Sequence, residues 1–266
     1  MAKSQEVMKK VDELPADIAD LIYEDSGAGQ ENMTKDDFAI PRLAILQSNS
    51  PQVDKRGDGY VEDAEPSKII ENISNGLFSG EQGIVVVPIS FRRTIIEWGL
   101  RSKGGGFVGD HGYNTDMLRA AKLTEVDGKK CLLNEAGNQL VDTAEYFVYI
   151  INGGDWSPAV ISMASSQMKK SKRWNTLIDS VRIDSPKGRT KVASYFMAYK
   201  LTTVPESNTS GTWFGWDIKK HCRTIDLENG SDIYLEAREF NNQIKEGAVK
   251  VSEPVSENVE SEDSPM

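Results

Sequence analysis

The chain has 266 residues, 38% of them hydrophobic, and a formal net charge of -10; that length holds one large domain or two small ones. Its two cysteines, Cys131 and Cys222, are far apart, which excludes a disulfide framework and a cysteine-rich zinc site and suits a reducing compartment. The acidity would exclude a nucleic-acid partner only if it were uniform, and it is not: residues 1–39 carry -6, residues 245–266 carry -4, and residues 40–244 net zero.

Residues 1–37 read as an acidic, flexible arm, in which positions 5–24 could form an amphipathic helix interrupted by Pro15. The opening MAKSQEVMKKVDELP lacks the apolar stretch of a signal peptide, and no run approaches the roughly 18 apolar residues of a membrane-spanning helix. The folded domain is expected over residues 38–244. Within it, Arg42–Gln47 is a short apolar run, and Gly83–Phe91 is β-branched and strand-like, continued by Arg93–Trp98 up to the Gly104–Gly106 break. Glu145–Ile151 and Pro158–Met163 are further strands, joined through the turn Asn152–Asp155. A helix follows at Gln167–Ile178, with Ser165 as its N-cap and Met168, Trp174, Leu177 and Ile178 as its apolar positions. Val192–Thr203 and Gly211–Lys219 read as a strand pair, and residues 230–244 as a last helix. Residues 245–266 are rich in Ser, Glu and Val, and are expected to stay disordered because they cannot bury enough to offset ordering entropy. The fold class expected is mainly β, an OB-fold-like barrel with one or two inserted or flanking helices.

No catalytic constellation is present in this pattern. His111 and His221 have no metal-ligand spacing, the run Gly104–Gly106 lacks the rest of a phosphate-binding loop, and Asp54–Asp63 does not meet a calcium-loop pattern. The expectation is a non-enzymatic protein with no cofactor and no metal. The strongest local signal is basic and aromatic. Residues 160–200 hold nine Lys/Arg against Asp179 and Asp184. Lys169, Lys170, Lys172 and Arg173 sit beside Trp174, and on a helix Lys169, Lys172 and Arg173 share a face. Trp174 itself is expected to turn inward. Arg92, Arg93 and Arg101 surround Trp98, and Trp213, Phe214 and Trp216 form a third cluster, in which Trp213 and Phe214 face opposite ways on a strand. Bases stack on aromatic rings whatever their sequence, and cations along the same groove neutralise phosphates. The plainer alternative is a solvated basic face over an aromatic core.

Several segments resemble a group of bacteriophage proteins: Phe38–Gln47 followed by Ser50-Pro51, Glu97-Trp98 before the triple glycine, Lys172–Asn175, and Lys200–Val204 leading to Gly211–Trp216. That resemblance spans about residues 38–220 and implies a phage origin. In overall plan the chain is also similar to phage single-stranded DNA-binding proteins of the replication type. That similarity implies an OB-fold core, a basic and aromatic DNA groove, and an acidic tail, here Glu257, Glu260, Glu262 and Asp263, that contacts replication proteins such as polymerase or helicase. Such tails usually end in an aromatic residue, whereas this one ends Asp263-Ser264-Pro265-Met266.

The expected function is therefore sequence-independent binding of single-stranded DNA in phage replication or recombination, in the host cytoplasm, away from membranes, with room for a homodimer. The phosphate contacts expected are Arg92, Arg93, Arg101, Lys169, Lys170, Lys172 and Arg173, and the stacking candidates are Trp98, Trp213, Phe214 and Trp216. Three rivals stand beside it: a virion or head-associated β-sandwich, a strand-annealing recombination protein, and a nuclease, which would need a carboxylate cluster for Mg²⁺.

Overall fold

The computed structural model describes residues 39–247 except 101, 103, 127, 128, 187, 209 and 210, together with 249, 251–253 and, ahead of them, 15, 18, 21, 22, 24–33 and 37. Thirteen strands are found among these residues. They are β1 (Arg42–Ile45), β2 (Ile69–Glu71), β3 (Leu77–Phe78), β4 (Ile84–Trp98), β5 (Phe107–Asp110), β6 (Lys122–Val126), β7 (Lys129–Leu133), β8 (Gln139–Asn152), β9 (Asp155–Ala164), β10 (Arg182–Ser185), β11 (Gly188–Lys191), β12 (Met197–Asn208) and β13 (Gly211–Arg223). The helices are α1 (Thr115–Ala120), α2 (Met168–Asp179) and α3 (Gly230–Lys245).

Eleven of the strands form one sheet with the order β13-β12-β4-β8-β9-β1-β2-β3, while β5 and the β6–β7 hairpin extend it from β4 and β8. Every pairing is antiparallel except β1 with β9. The sheet curls into a half-barrel, so the mainly-β expectation holds. An OB-fold is a five-stranded Greek-key barrel, whereas eleven strands here make one curled sheet whose path runs between two ends, β13 and β3.

The strands follow from their burial. β8 is the centre of the sheet, and its run Ala144–Ile150 is almost continuously apolar because both faces are covered. Ala144, Tyr146, Val148 and Ile150 point into one core with Leu43, Ile69, Leu201 and Trp216, closed by Trp174 of α2. Phe147 and Tyr149 point into the other, under Ile233, Ala237 and Phe240 of α3. Trp174 is fully buried, as expected, stacked on Tyr146 at 4.2 Å and edge-on to Tyr199 at 5.8 Å. Removing so large a buried ring costs about 3–5 kcal/mol. Pro88 sits inside a long central strand, where its missing N–H is tolerated because β12 pairs with β4 only over Ile84–Val86. A bulge at the same place leaves the Ile89 carbonyl to accept from Ser194 and Asn241.

The two ends of the sheet are drawn together. The Thr203 amide donates to the Gly80 carbonyl at 2.9 Å, and the Thr203 hydroxyl donates to the Ser67 carbonyl at 2.8 Å. Gly80 permits this approach, since a Cβ there would lie 2.0 Å from the Ser67 oxygen. A charged cluster pins the middle of the sheet. Glu145, fully buried, takes Arg42 at 2.5 Å on one oxygen and Arg92 at 2.7 Å on the other. Arg42 also donates to the Ser252 carbonyl at 2.8 Å.

That last contact corrects a boundary. The sequence places a disordered tail from residue 245, but Val249 and Val251 pack on the α3-side core, Val251 bridges to Ile40, and the Ser252 amide donates to the Ile40 carbonyl. The described residues Val249 and Val251 to Glu253 therefore lie on the fold. Ser165 is likewise no N-cap: it opens a short 3-10 turn in a left-handed conformation (φ 46), and Gln167 holds the cap position with no side-chain capping bond. Most of the expected helix over 5–24 falls outside the described residues, and Ile18, Leu21 and Ile22 within it are helical and exposed.

Candidate nucleic-acid interface

Amphipathic α2 buries Ser171 and Trp174 and turns Lys169, Lys172 and Arg173 to solvent, the face that the helical spacing implied. Around it lie the β10–β11 hairpin and the edge strand β13. Together these elements carry ten Lys/Arg and three Asp. The carboxylates are placed as local clamps. Asp179 holds Lys191 and Arg182, Asp217 takes Lys219 at 3.0 Å and Arg173 at 4.0 Å, and Glu206 of β12 takes Lys170 at 2.6 Å. Lys220 donates to the Ser180 hydroxyl at 3.0 Å, tying β13 to the end of α2. What remains is a band of excess positive charge. Exposed lysines along an unpaired strand also protect that edge from chance strand pairing.

Beside this band, where the sheet ends approach, lies a cleft of about 300 Å³. Its walls come from residues 44–52 at and after the end of β1, from Ile70 of β2, from Ser162 and 164–167 leading into α2, and from 212–214 and Trp216 of β13. Two glutamines build it. Gln47 donates to the Phe214 carbonyl at 2.9 Å and accepts from the Phe214 amide at 2.8 Å, so one side chain serves as a rung of sheet across the seam. Gln167 accepts from the Trp216 amide at 3.1 Å. These contacts satisfy edge groups that half-buried backbone would otherwise leave unpaired. Gly215 makes room for them, because a Cβ there would lie 2.7 Å from the Gln167 amide nitrogen and 2.6 Å from a Glu206 oxygen. Glu206 in turn accepts from the Trp213 indole at 3.0 Å, which links the basic band to the aromatic wall.

The expected site residues divide accordingly. Lys169, Lys170, Lys172 and Arg173 share the band, and half-buried Trp213 and Phe214 line the cleft next to it. Trp216 is a core residue, 2% exposed, so it cannot serve as a stacking platform: it shares the inward face of β13 with Ile218. Arg92 and Arg93 lie on β4, each held by carboxylates, Arg92 by Glu145 and Asp110 and Arg93 by Asp142. Arg92 also lies over the Phe147 ring, and Arg93 over that of Tyr113. Trp98 packs edge-on against Phe107 at the opposite end of β4 from β12. Arg101 and the tail residues Glu257, Glu260, Glu262 and Asp263 lie outside the described residues.

Near Trp98, Glu97 is buried and accepts from Asn134 and Asn138, both at 2.7 Å, with His111 at 2.6 Å. The asparagine hydrogen bonds, Asn138 first, hold its carboxyl below the usual range against the opposing effect of burial. This group fastens the loops at that end of the sheet. Among the described residues, no three His, Cys, Asp or Glu converge as a metal site requires, and no helix is long and apolar enough to cross a membrane.

Sequence reasoning missed Gln47, Gln167 and Glu206 as builders of the site. For Gln47 a signal was available: of the segments that carry the phage resemblance, Phe38–Gln47 ends at this cleft, Ser50-Pro51 and Gly211–Trp216 line it, and Lys172–Asn175 lies on the helix beside it.

A family model described as Pam3 phage gp34-like protein matches residues 9–250, and the chain belongs to that family. No curated protein and no solved structure matches it.

Proposed function

We propose that this member of the Pam3 phage gp34-like family binds single-stranded DNA without strict sequence preference during phage replication or recombination in the host cell. The observation that carries this reading is the band of ten cations on α2, the β10–β11 hairpin and β13, against three carboxylates on the same elements and Glu206 and Asp226 beside them, set next to a cleft with two half-exposed aromatic residues. Phosphates run along Lys169, Lys172, Arg173, Lys219 and Lys220, while bases reach Trp213 and Phe214. The clamped cations, Lys170 and Lys191 among them, exchange a carboxylate for a phosphate as the strand binds. The acidic residues beyond Glu253 compete for the band when DNA is absent and recruit partner proteins by the same charge.

The test is a salt series of binding to labelled poly-dT with the variant Lys169→Ala/Lys172→Ala/Arg173→Ala. Each single-strand phosphate contact contributes about 0.7 to the slope of log affinity against log salt, so three lost contacts lower the slope by about 2. An unchanged slope would remove α2 from the interface.

A further inference from the structure

We propose that the cleft at the seam between β1 and β13 is a pocket for a single nucleobase, so that the protein reads base identity at one position of the strand. This rests on the single-strand reading above and adds a ligand to one part of it. None of the residues lining the cleft is charged. A phosphate or a metal ion would have no counter-charge there, so the occupant is neutral. The walls combine the aromatic residues Trp213, Phe214 and Trp216 of β13 with amides and hydroxyls, which suits a flat molecule with a π-face and an edge of donors and acceptors. At about 300 Å³ the cleft lies at the small end of ligand pockets.

Part of the polar lining is already spent on the fold, and part is not. Both ends of the Gln47 side-chain amide and the Gln167 oxygen bind β13, and the Ser50 hydroxyl accepts from the backbone N–H of Gln47. By contrast, the side chains of Asn49, Gln52, Ser166 and Thr212 have no hydrogen-bond partner among the described residues. Amide and hydroxyl side chains are the groups that read base edges, and unstacked bases in single strands are where proteins read them. The charge outside the cleft matches the rest of a nucleotide. Lys170 is joined through Glu206 to Trp213 of the wall, and Lys169 precedes it on the first turn of α2. A base seated inside thus leaves its phosphate at the basic band.

The experiment uses the full chain and four labelled homopolymers, with an abasic deoxyribose-phosphate strand as reference. At fixed salt the natural protein is expected to bind at least one homopolymer about tenfold more tightly than the abasic strand, which is the scale of one good base contact. Ser166→Phe, which fills the cleft, is expected to bring that ratio down to about 1 while the salt slope stays as it was. Asn49→Ala, in an exposed turn, is expected to change the ranking of the four homopolymers and serves if Ser166→Phe does not fold. If filling the cleft leaves the ratio intact, or if Asn49→Ala leaves the ranking intact, the base pocket is overturned and the single-strand reading stands. If no strand binds, that reading falls, and titration with free deoxynucleosides, followed by tryptophan fluorescence, decides the pocket alone. A nucleoside-dependent change that Ser166→Phe abolishes upholds it, and silence overturns it.

Discussion

Replacing Gln47 by methionine keeps the length and most of the apolar volume of the side chain while removing both of its hydrogen bonds to Phe214. Those bonds, at 2.9 and 2.8 Å, are partly buried and join the end of β1 to the edge of β13 across the seam. A net contribution of about 1 kcal/mol for each gives a loss of about 2 kcal/mol. In a chain of this size that is a fall in melting temperature of about 4–8 °C. Gln167→Met removes one such bond, to the Trp216 amide, and is expected to cost about half as much. Urea unfolding followed by tryptophan fluorescence reads both variants on the same scale. A loss below about 0.5 kcal/mol for Gln47→Met would show that the seam is held by something else, and the cleft would then lose its structural basis.

Two tyrosines in the same core should respond differently to loss of the hydroxyl. The Tyr146 hydroxyl bonds with the Ser171 hydroxyl at 2.8 Å and donates to Asn175 at 3.0 Å, so Tyr146→Phe is expected to destabilise by about 1–2 kcal/mol. The Tyr199 hydroxyl is buried and has no partner among the described residues, so Tyr199→Phe is expected to be neutral or stabilising in the same unfolding assay. Gly80→Ala is expected to cost about 3 kcal/mol or more, because its new methyl group meets the Ser67 carbonyl and the Thr203 hydroxyl; a melt within a degree or so of the natural protein would contradict the seam as described. Glu97 has a depressed carboxyl pKa in the fold. Its stabilisation is therefore present above the unfolded value of about 4.3 and is lost as pH falls through the folded value. Glu97→Gln should thus cost about 2 kcal/mol near neutral pH and progressively less below about pH 4; a difference that is constant from pH 7 to about pH 3 would remove the charge from the explanation.

The parts of the fold legible in the sequence were those whose pattern is set by burial alone. The apolar run of β8, the β-branched start of β4, and the periodicity of α2 and α3 each reflect a surface that must be covered. The short pieces β2, β3, β5 and the β10–β11 hairpin were not legible, since two to four residues carry no period. The β6–β7 hairpin escaped for another reason: its first strand is mostly exposed, with Leu123 at 66%, so no apolar alternation marks it. In the site, the basic face of α2 was readable from its i, i+3 and i+4 spacing. The choice between Trp213 and Trp216 was not, because both belong to one aromatic run and only the inward face of β13 separates them. The pairing of Arg92 with Glu145 spans 53 positions, and that of Gln47 with Phe214 spans 167. Such partners are joined by topology, and no local pattern announces them. The same holds for Ser252, which returns beside Arg42 from 210 positions away.

The most direct measurement is the fluorescence anisotropy of labelled poly-dT titrated with the full chain and with a chain ended after Glu253, across a range of salt. The chosen end point keeps Val251 and Ser252 on the fold, where they contact Ile40 and Arg42. The expected result is tight binding that weakens steeply as salt rises and is stronger in the shortened chain at low salt. Absence of binding by both chains at low salt would contradict the central claim and favour a structural protein of the virion.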